Sequence, residues 1–139
     1  MKFAKLHDDI LSRLPEVERF LHSHPDVIFA YLFGSLAGEM KKLPDDVDIA
    51  VYIAQYEDFG KTKLEILGRL ADILQTDDID LIVLNTASLP LVINILKKMR
   101  VLVDKKPFKR HAFVSVAMRK YFDFSIKEMA QLRRRYLSG

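Results

Sequence analysis

Apolar side chains recur at helical spacing at the start of the chain. Leu6, Ile10, Leu14, Val17 and Leu21 mark one face of an amphipathic helix over residues 5–22. Pro15 stands inside it as a potential break into two pieces, because proline lacks a backbone donor and crowds the preceding turn. Ser23-His24-Pro25-Asp26 is a turn cluster. Val27 to Phe33 is a β-branched and aromatic run closed by Gly34, which predicts a strand. Gly38 to Asp45 reads as a loop, and Val47 to Ile53 as a second strand. Along it Val47, Ile49, Val51 and Ile53 alternate onto one face, while Asp46, Asp48, Ala50 and Tyr52 share the other.

Residues 61–75 predict a helix with Leu64, Leu67, Leu70, Ala71 and Leu74 as its apolar stripe. Ile79 to Leu84 is a third strand. Ser88 is placed to cap a helix running to about Lys98, with Pro90 early in it. Val101 to Val103 allows a short extra strand, and residues 108–137 form a long, basic, aromatic-rich helical region. About a dozen residues join the first two strands, too few for a crossover helix, so these strands are expected to be antiparallel. The helix before the third strand leaves its direction open. The fold class is α+β: a small mixed sheet with helices packed on one side, followed by a C-terminal helical extension.

With 139 residues, half of them apolar, the chain is long enough for one domain with a real core. The absence of cysteine excludes disulfides and thiolate metal sites. Lys2, Lys5 and Asp8 near the N-terminus argue against a secretory signal, and no apolar run reaches the roughly 20 residues of a membrane span. A cytoplasmic protein without membrane contact is expected. Charge is distributed unevenly. Residues 105–139 carry ten Lys or Arg against Asp123 and Glu128, a local charge of +8 within a total of only +3. Such a basic tail is either a solvated helix face or a surface for an acidic or phosphate-bearing partner.

The candidate chemistry lies where the first strand meets the second. Gly34-Ser35 closes one strand, and after ten residues Asp46 and Asp48 open the next, two positions apart and therefore on one face. The third strand brings Asp80, with Asp77 and Asp78 as close alternatives. Alone, Gly-Ser is an ordinary turn and Asp-x-Asp an ordinary solvated strand start. Together they describe carboxylates that repel one another unless a cation lies between them. Magnesium suits such a site, since it takes hard oxygen ligands from one or two carboxylates and from substrate phosphates. Two such ions serve phosphoryl transfer by clamping the attacking and leaving oxygens. Gly34 allows close approach of a phosphate, and the amides and hydroxyl that follow supply donors.

The pattern Gly34-Ser35-x10-Asp46-x-Asp48, flanked by hydrophobic strands, resembles the signature of polymerase-β-type nucleotidyltransferases. The short chain and the run Asp45-Asp46-Val47-Asp48-Ile49-Ala50-Val51-Tyr52 resemble the minimal nucleotidyltransferases, MNT proteins, encoded as antitoxins beside HEPN-domain ribonuclease toxins. The likeness covers residues 25–105 and, more loosely, the tail. It implies a polymerase-β-type fold in which Gly34 and Ser35 cradle the triphosphate of ATP. Asp46, Asp48 and Asp80 would be catalytic and hold two Mg2+ ions, with Asp80 helping to deprotonate the attacking hydroxyl. The implied reaction transfers AMP from ATP to a tyrosine of a cognate HEPN toxin. The implied assembly is a hetero-oligomer docked through the tail at about 105–139, all within one nucleotidyltransferase domain, 1–139.

The chain departs from the family in one respect. Leu36-Ala37-Gly38-Glu39 stands where many members carry a basic residue, leaving Lys41 and Lys42 as candidate replacements. The alternative is therefore an antitoxin that neutralises by binding alone, around a weak or relic nucleotide site. His7, His22, His24 and His111 have no metal-binding spacing. Phe108, Phe113, Tyr121, Phe122, Phe124 and Tyr136 lie at helical intervals, which favours packing on a protein partner over base stacking. Nucleic-acid binding ranks last.

Overall fold

A computed structural model describes the backbone of residues 2–38, 46–54 and 58–137, with side chains from Asp9 to Tyr136 within those segments. The elements run α1 (Lys2–Ser23), β1 (Val27–Phe33), a 3-10 turn (Gly34–Ala37), β2 (Val47–Ile53), α2 (Phe59–Leu74), β3 (Ile79–Val83), α3 (Leu89–Lys97), β4 (Met99–Asp104) and α4 (Pro107–Leu137). One four-stranded sheet has the order β3-β2-β1-β4. β1 is antiparallel to both β2 and β4. β2 and β3 are parallel, α2 serving as their crossover, so the direction left open by the sequence is settled.

α1 runs unbroken through Pro15. A proline inside a helix costs about 3 kcal/mol. Ile10 and Leu14 before it and Val17 and Leu21 after it are all buried in one core. Burying an aliphatic side chain stabilises by roughly 1.5–3 kcal/mol, so four of them outweigh the lost donor. The side chain of Leu6 lies outside the described residues. On α2 the buried stripe is Ile66, Leu70, Ile73 and Leu74, whereas Leu64 is 71% exposed. Leu64 precedes Ile66 by two residues, about 200° around the helix, and so points away from the sheet. Asp58 caps this helix by accepting the Lys61 N–H at 3.0 Å. Ser88 occupies the N-cap of α3 without making a side-chain capping bond.

The sheet alternates as its sequence predicts. Val47, Ile49, Val51 and Ile53 enter the core beneath α1 and α2. Phe29, Tyr31, Phe33, Ala50 and Tyr52 form the other face. That face is also covered in part, by α3 and the first third of α4, through Val92, Ile93, Ile95, Phe113 and Ala117. Tyr52 stacks on Phe29 with centroids 4.8 Å apart, and Phe113 meets Tyr52 edge-on at 5.4 Å. These rings pin α4 to the sheet. Arg110 adds an ion pair to Asp104 at 2.9 Å. Cover on both faces explains why every residue of β1 is buried. β4, read from the sequence as a minimal strand, lengthens into an edge strand because β1 offers it a free flank.

Asn85 extends the sheet beyond β3. Its side chain accepts the Ile53 N–H and donates to the Ile53 carbonyl, both at 2.9 Å. No helix among the described residues is long and apolar enough to cross a membrane.

Candidate active site

The site is built at the end of β1 and the starts of β2 and β3. Gly34 leaves β1 with a φ of +72°, a left-handed conformation that disfavours any side chain. Space demands glycine as well. A Cβ there would collide with the Asp48 carboxylate and lie 3.2 Å from its Cγ. The cause is the strand register, which pairs Phe33 with Asp48, so the next residue hangs over that carboxylate. Leu36 is buried in the α1/α2 core and anchors the 3-10 turn, leaving Gly34 and Ser35 half-buried.

Register also brings the aspartates together. Asp48 and Asp80 are direct partners in the parallel β2–β3 pair and therefore face the same side. Asp46 precedes Asp48 by two residues and is exposed. The Asp48 carboxyl is pushed up to about 6 from its ordinary 3.8, first by burial, then by the charge of Asp80, then by that of Asp46. Three carboxylates thus share one local field.

Asp78 is used differently. It precedes β3, its carbonyl accepts the Val47 N–H at 2.9 Å, and its own N–H donates to Thr76 Oγ1 at 3.1 Å. Asp80, rather than Asp78, is the one that faces Asp48. Asp77 also lies outside the strand, its carbonyl accepting the Ile79 N–H at 2.9 Å.

The donors are all hard oxygens, suited to magnesium or another hard divalent ion. Among the described residues no three His, Cys, Asp or Glu side chains form a metal cage by themselves. The carboxylates instead fit an ion that takes its remaining ligands from a substrate, and the raised Asp48 carboxyl marks the spot where a cation would be most stabilising.

Lys41 and Lys42 lie outside the described residues. Lys98, which no motif singles out, approaches the turn from α3. A Cβ on Gly38 would lie 2.5 Å from Lys98 Cε and 3.3 Å from its Nζ. The β1–β4 pairing of Phe33 with Met99 is what carries Lys98 there.

At the other end of the same sheet face is a cavity of about 380 Å3 lined by Tyr52, Phe59, Asn85, Phe113 and Lys120 among others. Tyr52 is four residues beyond Asp48 on one strand, so the two are separated by about 13 Å. The cavity is distinct from the carboxylate edge.

Residues 16–108 match the family model described as polymerase beta, nucleotidyltransferase. No curated protein is significantly similar in sequence. Solved structures are similar in fold. A chain of the MntA–HepT toxin–antitoxin matches with a TM-score of 0.59 and 22% identity, over 94% of this chain and 97% of that one. A chain of a toxin–antitoxin with AMP-PNP matches with a TM-score of 0.67 and 24% identity, over 88% and 95%. A third belongs to the tri-AMPylated HEPN toxin of Shewanella oneidensis in complex with MNT antitoxin, with a TM-score of 0.59 and 23% identity, over 95% and 97%. The family match takes in the last third of α1, all four strands and the residues between Gly34 and the aspartates, and on that extent the chain belongs to the polymerase beta nucleotidyltransferase family.

Proposed function

We propose that this protein is an MNT antitoxin that transfers AMP from ATP to a tyrosine hydroxyl of a HEPN toxin. One observation carries the reading: the register that sets Asp48 beside Asp80, next to Asp46 and under the Gly34 turn. The similar solved structures support it, since one is a HEPN toxin bearing AMP with its MNT antitoxin and another holds AMP-PNP.

Gly34 and Ser35 hold the triphosphate, the first by leaving room and the second by donating a hydroxyl. Asp46, Asp48 and Asp80 would hold Mg2+, two ions in the full site, which would supply neutralisation of phosphate charge. The tyrosine oxygen attacks the α-phosphorus, a new O–P bond forms, the α–β phosphoanhydride breaks and pyrophosphate leaves. A tyrosine hydroxyl has a pKa near 10 and needs a base at neutral pH. Asp80 takes that proton.

Docking falls to the basic tail at about 105–139. From Met118 to Tyr136 every residue of α4 is exposed except Ser125 and Ala130, which are half-buried. Met118, Phe122, Ser125, Met129, Leu132 and Tyr136 follow a four-three spacing along it. That is the seam by which one helix packs against another, so the partner surface is helical.

The test is incubation with labelled ATP, magnesium and the HEPN protein encoded by the adjacent gene. Transfer of label to a toxin tyrosine is expected, and undiminished transfer by Asp46→Ala/Asp48→Ala protein would falsify the assignment of the site. A second reading, neutralisation by binding alone, draws on the lack of a basic residue at Leu36–Gly38. Neutralisation that survives the double aspartate variant would favour it.

A further inference from the structure

The structure assigns to Lys98 the phosphate-binding charge that the Gly34–Ala37 turn itself lacks. This rests on the nucleotide reading of that turn. The turn sequence, Gly34-Ser35-Leu36-Ala37-Gly38, contains no cation, and three aspartates lie next to it. A triphosphate entering there meets the amides of the turn and strong negative charge from the carboxylates. Metal ions offset part of that repulsion, and a cationic side chain beside the turn offsets more.

Lys98 has the position for it. It follows the last residue of α3, and its backbone N–H still bonds to the Ile95 carbonyl at 3.3 Å. Met99 then pairs with Phe33. The base of the Lys98 side chain is therefore held beside the end of β1, from both a helix end and a strand start. Its stem crosses Gly38, which closes the 3-10 turn, and its ammonium stands 3.3 Å from where a Gly38 Cβ would be. Gly38 needs no left-handed backbone, and the space where its Cβ would be is taken by the end of the Lys98 side chain.

Lys98 is exposed and has no ion-pair partner among the described residues. Among the described residues Arg100, two positions on, is committed elsewhere, to Glu18 at 3.2 Å. Lys97, one residue earlier, ends α3 and provides the contrast. If Lys98 served only to complement the negative end of the helix, Lys97 would be its equivalent. Contact with Gly38 separates the two. Lys98 is thus a binding and positioning residue for the β- and γ-phosphates, taking over at long sequence range the work of a basic residue inside the turn.

The experiment is calorimetric titration of ATP and of AMP, each with magnesium, into the full chain and into Lys98→Met, Lys98→Arg and Lys97→Met, with melting temperatures as a check on folding. Methionine keeps the stem against Gly38 and removes only the charge. Loss of a charged hydrogen bond weakens binding by roughly ten- to a hundred-fold, which is the effect expected for ATP with Lys98→Met. AMP affinity should change by less than about threefold, and Lys98→Arg should recover most of the loss, because the contact is electrostatic and made to phosphates that AMP lacks. Lys97→Met should bind like the parent. Parent-like ATP binding by Lys98→Met, or equal weakening of ATP and AMP, would overturn the assignment while leaving the nucleotide site intact. Failure of the parent protein to bind ATP would instead overturn the reading of the site, and this inference with it.

Discussion

The carboxylate edge and the outer part of α4 are both unfinished, in opposite ways. At the edge, Asp46, just before β2, and Asp48 and Asp80, paired by register on β2 and β3, concentrate negative charge. Along α4, Met118, Phe122, Phe124, Ile126, Met129 and Leu132 leave apolar surface in water among basic side chains. The first region is short of positive charge and the second of apolar cover. A sheet edge held between two cores suits chemistry that tolerates little displacement. A helix anchored through its first part, by Arg110, Phe113 and Ala117 among others, suits a surface that is completed by another chain.

The largest effect should come from removing the charge at the edge. Asp46→Ala/Asp48→Ala is expected to lower AMP transfer by about a thousandfold, a loss on the scale seen when charge-stabilising groups leave an active site. Toxin binding, measured by calorimetry, should stay within about twofold, since interactions at distant sites are nearly independent. Loss of both together would break the division between the regions.

Next comes the helix. Deleting residues 119–139 keeps Phe113 and Ala117 on the sheet, whereas a cut at Lys105 would strip that face. The shorter protein should lose toxin affinity by roughly a hundredfold or more, as expected when several buried apolar anchors are removed. Its ATP affinity should be unchanged. A single Phe122→Asp substitution should act in the same direction with smaller effect.

Gly34→Ala should follow. It forces a side chain into a left-handed backbone and against Asp48. A destabilisation of about 1–3 kcal/mol is expected from such strain, read by denaturant unfolding, together with weakened ATP binding.

The smallest effect is on the pH dependence of folding. The Asp48 carboxyl is raised from 3.8 to about 6 in the folded protein, so the folded state holds more protons than the unfolded one between those values. Stability of the nucleotide-free protein therefore falls as pH rises from about 4 to about 6, and stays lower above that. Asp48→Asn should raise the melting temperature at pH 8 and give no gain at pH 4. An equal gain at both would show that packing, not charge, explains it.

Much of this was legible in one dimension. β1 and β2 have the bounds that their patterns predict, because a β-branched run and a strict two-residue alternation are local properties. Asp46 and Asp48 share a face for the same reason. The choice between Asp78 and Asp80 was not legible: the two share a face by alternation, and only the alignment of β3 against β2 sets Asp80, rather than Asp78 two residues earlier, opposite Asp48. Continuity through Pro15 was hidden too. Local preference argues for a break there, and only the core beneath Ile10, Leu14, Val17 and Leu21 overrides it. The stripe of α2 was misread at Leu64 because several leucine sets fit a helical period, and only the sheet selects the one that is buried.

The sequence by itself determined the family motif, the alternation of the strands and the unequal charge of the two ends, all carried by residues close together in the chain. Tertiary structure decided which carboxylate faces Asp48, how far the second sheet face is covered, and that Lys98 lies against Gly38. Those depend on strand register and on β1 pairing with β4, contacts between distant segments that no local pattern encodes.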